Sequence, residues 1–303
     1  MRRSFCLLLG ILLAACSSKE AGTGPGTGGA GAGTTGSGAT GTSSSGATSS
    51  SGTTSSSGAS SSGTGTGGGP AGGACQSPLT EYDTGNGSVT YYTFSMGAAA
   101  VNCSFDVLGE NPDTVAHVAT GNGQWFGAMD ATDYADAAVC GACVEITRDG
   151  GKSVVVTIVD QCPGCQAGHI DLSEQAFLQL GTASEGYLGT GNGGAVGVIS
   201  WRYVACPVTE DVSYVLKDPT NQYWNQILVQ SHRYAVAKVE VQVSGQWVSA
   251  VRQSYNYWQA GSGDIGMPPY QVRVTDINGD VVDAQLALVA GDQASTAQFP
   301  TCH

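Results

Sequence analysis

Two aspartates stand where carboxylate chemistry could be done. Asp171 lies at the end of a loop in a glycine-rich neighbourhood, just ahead of a short helix whose start is marked by Ser173. Asp160 closes an apolar, β-branched run over residues 153–159. Hydrolysis of a glycosidic bond needs two carboxyl groups: one protonates the leaving oxygen, the other activates water or attacks carbon. The competing reading of Asp171 is structural, an aspartate that holds the turn before a capped helix. Four cysteines offer different chemistry. Cys140-x-x-Cys143 and Cys162-x-x-Cys165 have the spacing of a zinc ribbon.

The compartment decides between metal and disulfides. Arg2 and Arg3 precede an apolar run over residues 5–13, too short to span a bilayer as a helix. Leu13-Ala14-Ala15-Cys16 then reads as a lipobox, so residues 1–16 are a lipoprotein signal and Cys16 is the lipidation site, with Ser17 after it fitting an outer-membrane or cell-surface destination. Apart from Cys6 in the signal and Cys16, eight cysteines remain. An even count in an exported chain favours disulfides. The expected pairs are Cys103–Cys140, Cys143–Cys206, Cys162–Cys165 and Cys75–Cys302, the last tying the chain ends together. No metal or cofactor is expected, and His117 and His232 join no metal-binding constellation.

Residues 17–73 form the expected linker. From 21 to 73 they are only Gly, Ser, Thr, Ala and Pro, which cannot bury enough surface to offset ordering entropy. Random-coil scaling gives such a disordered tether a span of roughly 40 Å. Setting aside Arg2, Arg3, Lys19 and Glu20 leaves 8 Lys+Arg against 23 Asp+Glu in the folded part. Nucleic acid, anionic lipid surfaces and acidic polymers are therefore poor partners, and a neutral polymer fits better.

The elements that must position these residues divide into two stretches. Residues 77–207 carry short strand-like runs at 89–94, 143–148, 153–159 and 196–204. Asp149-Gly150-Gly151 is a tight turn, and one helix runs over 174–180 with Gly181 as its stop. Many strands with one short helix predict a compact β-barrel. Residues 208–303 show alternation without helix at 212–216 and 235–241, with hairpin turns at Ser244-Gly245 and Asn278-Gly279. That pattern predicts a β-sandwich.

Several stretches converge on one family. Cys140-Gly141-Ala142-Cys143-Val144-Glu145-Ile146, Thr157-Ile158-Val159-Asp160-Gln161-Cys162-Pro163, His169-Ile170-Asp171-Leu172-Ser173 and Val198-Ile199-Ser200-Trp201-Arg202 resemble successive segments of the expansin barrel. Tyr223-Trp224, Tyr255-Asn256-Tyr257-Trp258 and Val272-Arg273-Val274-Thr275-Asp276-Ile277 resemble the second domain of bacterial expansins in order and spacing. The resemblance spans residues 88–300. It implies an all-β chain: a six-stranded double-psi β-barrel related to family 45 glycoside hydrolases, then an immunoglobulin-like sandwich of carbohydrate-binding module family 63.

The resemblance also implies roles. Asp171 matches the family's essential barrel carboxylate, supported by Thr90 and Asp160. Bacterial expansins often place a tyrosine two residues after the latter, where this chain has Cys162. Family 45 enzymes carry their base on the first barrel strand, and Thr90-Tyr91-Tyr92-Thr93-Phe94 contains no carboxylate. An acid without its base implies a protein that is not an enzyme and loosens cellulose or a β-1,4-glucan such as xyloglucan without hydrolysis. Tyr223, Trp224 and Tyr255 match the aromatics that stack on cellulose, Lys217 is a hydroxyl-binding candidate, and Trp247 and Trp258 are expected in the core. Tyr223 and Trp224, adjacent in sequence, can share a face only on a loop or bulge, which the preceding Asp218-Pro219-Thr220-Asn221 supplies. The expected protein is a monomer. A family 45-like endoglucanase and a peptidoglycan-binding lipoprotein of the rare lipoprotein A type are the alternatives.

Overall fold

The computed structural model describes residues 79–94, 100–190, 196–261, 263–289 and 291–301 of the 303-residue chain. The signal, Cys16, the linker and the expected Cys75–Cys302 bridge lie outside the described residues. Among the described residues, no helix is long and apolar enough to cross a membrane.

The first sheet is built from β1 (Tyr82–Tyr92), β4 (Phe126–Asp130), β5 (Cys143–Arg148), β6 (Lys152–Cys162), β7 (His169–Ser173), β8 (Leu188–Gly189) and β9 (Ile199–Val204). A small hairpin of β2 (Val107–Glu110) and β3 (Asp113–Val115) stands apart. The order is β7-β4-β6-β5-β9-β1-β8, and a further β1–β7 pairing closes six strands into a barrel. β1 with β7 and β4 with β6 run parallel; the other barrel pairs are antiparallel. The interior is filled by Val89, Met129, Val144, Ile146, Val156, Ile158, Ile170, Leu172 and Trp201, all essentially buried.

Local chemistry sets the turns. Gly150 and Gly151 both adopt positive φ, 87° and 86°, joining β5 to β6 where an L side chain would be strained. Helix α2 (Glu174–Leu180) begins at Ser173, whose hydroxyl accepts from Ala176 N–H, and ends at Gly181. The sequence predicts a single helix in the barrel. A second, one-turn α1 (Ala131–Tyr134) follows β4, capped by Asp130. Neither β4 nor α1 has a periodicity long enough to stand out before folding.

The second sheet comprises β10 (Ser213–Leu216), β11 (Gln226–Gln230), β12 (Val236–Val243), β13 (Gln246–Arg252), β14 (Trp258–Ala260), β15 (Tyr270–Asp276), β16 (Val281–Leu286) and β17 (Gln293–Ala294). They order as β16-β15-β12-β13-β14-β11-β10-β17, every pair antiparallel. β13 pairs with both β12 and β14, so the two halves of the sandwich are joined through it. Their inner faces meet in a core of Tyr214, Ile227, Val229, Val239, Val241, Val272 and Val274. β15 alternates buried and half-buried residues along its whole length, the period-two pattern of a strand with one face inward. Ser244 and Gly245, with φ of 49° and 80°, form the two-residue turn between β12 and β13. Trp258 is buried in this core, whereas Trp247 is only half-buried: it stands on the sheet surface under the Arg273 guanidinium, 4.2 Å from its ring.

Among the described residues three disulfides are formed, Cys103–Cys140, Cys143–Cys206 and Cys162–Cys165, with Cα separations of 5.6, 5.1 and 5.4 Å. The paired C-x-x-C segments are thus not a zinc site: each cysteine of the quartet is held in a disulfide.

Candidate functional site

Strand register builds the site. Thr90 on β1 pairs with Asp171 on β7; Asp171 pairs with Ala128 on β4; Ala128 pairs with Asp160 on β6. Side chains in register on adjacent strands share a face, so Thr90, Asp171 and Asp160 line one row across four strands. Ala128 sits between the two carboxylates with only a methyl group. Asp171 lies within β7 rather than in a loop, which corrects the sequence reading and fixes its direction more firmly than a loop would. All three polar residues are half-buried.

Thr90 Oγ1 donates to Asp171 Oδ1 at 2.6 Å and meets His169 Nε2 at 2.9 Å. Having one proton to give, Thr90 must accept from His169, which places a hydrogen on Nε2. Ser88 Oγ, 2.8 Å from Nδ1, then donates to the other nitrogen. Hydrogen bonds therefore run in one direction, from Ser88 through His169 and Thr90 to Asp171. Burial holds the His169 pKa below its ordinary value, against the pull of the Asp171 charge, and keeps the ring neutral. His169 and Ser88 were missed as site residues. The signal was there: each lies two residues before a chosen residue on the same strand, hence on the same face.

Asp160 Oδ1 accepts from Gln161 N at 2.9 Å and Asn102 N at 3.1 Å. Burial raises its pKa, those two N–H groups oppose the shift, and the Asp171 charge adds to it. With Tyr92 and Asn102 it lines an open cleft of about 540 Å³. Among the described residues the buried Tyr92 hydroxyl has no hydrogen-bond partner; burial, then the charges of Asp160, Asp171 and Asp113, push its pKa well up. Asp113, also missed, is buried and accepts from Phe94 N–H through Oδ2 at 2.9 Å. Within β1 the only carboxylate is Asp83, exposed and seven positions before Thr90.

The aromatic residues divide. Tyr223 is 65% exposed, while Trp224 and Tyr255 are half-buried. Asn221 Oδ1 accepts from both Tyr223 N and Trp224 N, and Asn221 bridges to Trp224, so the adjacent rings sit on a turn and not on a strand. Lys217 is not free over the surface: its ammonium lies 5.0 Å from the Tyr255 ring centre and 4.4 Å from that of Tyr257, within cation–π range.

The loop bearing Tyr255 is clamped to the barrel. Ser104 Oγ donates to Tyr255 O at 2.6 Å, Tyr134 OH to Ser254 O at 3.1 Å, and Asn256 Nδ2 to Cys103 O at 3.3 Å. Asn102 Nδ2 also reaches Ser254 O, at 3.4 Å, while its backbone N–H holds Asp160. One residue thus touches both the groove carboxylate and the aromatic loop. Backbone contacts of this kind leave no trace in residue type. Among the described residues no group of His, Cys, Asp and Glu could hold a metal ion.

Comparison with known proteins adds the following. A family model described as lytic transglycolase matches residues 86–193. Expansin-like protein 5 of Dictyostelium discoideum is 31% identical over 217 residues, covering 69% of this chain and 82% of that protein. Expansin-YoaJ of Bacillus subtilis is 32% identical over 146 residues, and the match spans 58% of its length and 48% of this chain. The crystal structure of the apo expansin of Clavibacter michiganensis superposes with a TM-score of 0.59 at 28% identity, covering 72% of this chain and 98% of that one. A mutant of the Clavibacter protein in complex with cellohexaose matches with the same score.

Proposed function

Because the chain belongs to the expansin family, we propose that it binds cellulose or a related β-1,4-glucan and opens the non-covalent contacts between chains without cutting them. One observation carries this reading. Asp171 is fed by a directed line of hydrogen bonds, yet its neighbour on the first barrel strand is the hydroxyl of Thr90 and not a carboxylate. The acid is held rigidly for gripping a sugar hydroxyl but lacks the companion on that strand that would activate water. The cellohexaose complex of the Clavibacter protein supports a glucan as ligand. Tyr223, Trp224 and Tyr255 supply flat apolar faces for the C–H side of the sugar rings.

In this mechanism the sandwich attaches to the glucan surface and the groove holds one chain through Asp171, Asp160 and Thr90. Tension in the wall then lets that chain slip as its lateral contacts open. No covalent bond is made or broken. The protein acts as an exported monomer, tethered through lipidated Cys16 and the linker over residues 17–73, ahead of a barrel over 77–207 and a sandwich over 208–303.

Two observations favour other readings. Asp160 lies two strands from Asp171, which puts their Cα atoms roughly 10 Å apart. That is close to the carboxyl separation of inverting glycosidases, roughly 6.5–9.5 Å. An endoglucanase would release reducing sugar from soluble β-glucan, and Asp160→Asn would stop it. The lytic transglycolase match over the barrel favours peptidoglycan. Pull-down of the purified protein on microcrystalline cellulose and on peptidoglycan tests the proposal: retention on cellulose, lost in a Tyr223→Ala/Trp224→Ala double variant, is expected. Retention on peptidoglycan alone would refute it.

A further inference from the structure

A second pair of carboxylates lies behind the groove. Asp130 ends β4 and is fully buried; its Oδ1 caps α1, accepting from Thr132 N at 2.8 Å and Asp133 N at 3.1 Å. Its Oδ2 lies 3.1 Å from Gly168 N, and Asp133 Oδ2 lies 3.0 Å from the same nitrogen. One N–H cannot satisfy two carboxylate oxygens, and two ionised carboxylates that close repel each other.

Among the described residues, phenols and no cation face the pair. The Tyr82 hydroxyl on β1 donates to Asp133, while Tyr203 on β9 feels both charges together with that of Glu81, ahead of β1. On β6, Cys162 pairs in register with Asp130 and is held in its disulfide. Among the described residues no Lys, Arg or His forms an ion pair with either carboxylate. Burial and the contact with Asp133 push Asp130 up to about 6.

Gly168 is where this pair meets the groove. Its carbonyl accepts from Ser88 N at 3.2 Å and from Trp201 Nε1 at 3.0 Å. Its φ is +79°, and a Cβ there would lie 2.4 Å from the Tyr82 ring, so the residue is fixed on every side. The next residue is His169, which with Ser88 forms the start of the hydrogen-bond line to Asp171.

We propose that Asp130 and Asp133 are positioning residues that hold one proton between them, and that this proton sets the geometry of Gly168 and so of the Ser88–His169–Thr90–Asp171 line. With the proton in place the two acids accept jointly from Gly168 N–H. When it leaves, the like charges separate, the turn before His169 shifts, and Asp171 loses its fixed direction. Where the readout is wall loosening the proposal rests on the function given above; the proton itself does not.

Amide and imidazole NMR across pH 4–8 on the full chain tests both parts. The Gly168 amide and the His169 ring are expected to move together with one midpoint near 6. Asp130→Asn keeps a carbonyl acceptor and cannot ionise, so it abolishes that movement; Asp133→Asn is the second variant should the first fail to fold. Paper weakening by wild type should fall at least fivefold between pH 5 and pH 8, and by less than twofold in Asp130→Asn. A Gly168 amide that does not titrate overturns the proposal, as does one that titrates while His169 stays still. Equal pH profiles for wild type and Asp130→Asn also overturn it. If no variant weakens paper at any pH, the functional reading fails, and the NMR result still decides this one.

Discussion

Replacing Thr90 by Val tests the groove where its geometry is most specific. The substitution keeps shape and β-branching but removes the hydroxyl, 2.6 Å from Asp171 Oδ1 and 2.9 Å from His169 Nε2. A hydrogen bond to a charged group contributes about 1.5–3 kcal/mol. The site is half-buried and open to water, so the lower end applies, and about 1.5 kcal/mol is about tenfold in rate. The assay is loss of paper strength per bound molecule, at a protein load adjusted to equal occupancy on the cellulose. Thr90→Val should weaken paper about tenfold less, while binding through the aromatic residues changes less than twofold. Thr90→Ser restores the hydroxyl and should recover to within about twofold of wild type. The reasoning fails if the valine variant keeps more than half of the wild-type effect, or if serine is as poor as valine with both variants folded.

Other substitutions address the remaining parts. Tyr223→Ala removes an exposed ring and should cost about 1 kcal/mol, roughly fivefold in cellulose affinity by depletion assay, with no change in thermal midpoint. Ala128→Leu fills the gap between Asp171 and Asp160; it should abolish paper weakening while leaving cellulose retention intact. Because Asp130 is raised above the ordinary carboxylate value, its stabilisation is complete below about pH 4 and lost as pH rises to about 6. Calorimetry should therefore show a lower thermal midpoint at pH 7 than at pH 4.5 in wild type, and a smaller difference in Asp130→Asn. Cys103–Cys140 and Cys143–Cys206 close loops of 37 and 63 residues, worth about 4 kcal/mol each on chain-entropy grounds. Complete reduction should unfold the barrel at 37 °C by circular dichroism.

The barrel's hairpin and helix were legible because local chemistry determines them. A Gly-Gly turn, a serine cap and a terminal glycine each act within a few residues, and α2 spans the residues expected of it. The β4 strand was not legible: Phe126-Gly127-Ala128-Met129-Asp130 is buried on both faces and shows no alternation. With β4 went Asp130, and with it the acidic pair. Asp171 stood out by its place ahead of a capped helix, but its partnership with Thr90 was visible only through family resemblance, since nothing in residue type says that β1 and β7 pair in parallel with those two in register. Lys217 shows the opposite limit. Its type suggested a sugar contact, and only the fold reveals that its charge already sits over two tyrosine rings.

The most direct measurement follows reducing ends and tensile strength on the same cellulose sheet, exposed to one preparation of the protein. Strength should fall with no new reducing ends above the buffer control, and Asp171→Asn should remove the fall. Reducing ends that accumulate in proportion to the lost strength, and vanish in Asp171→Asn, would contradict a non-hydrolytic mechanism.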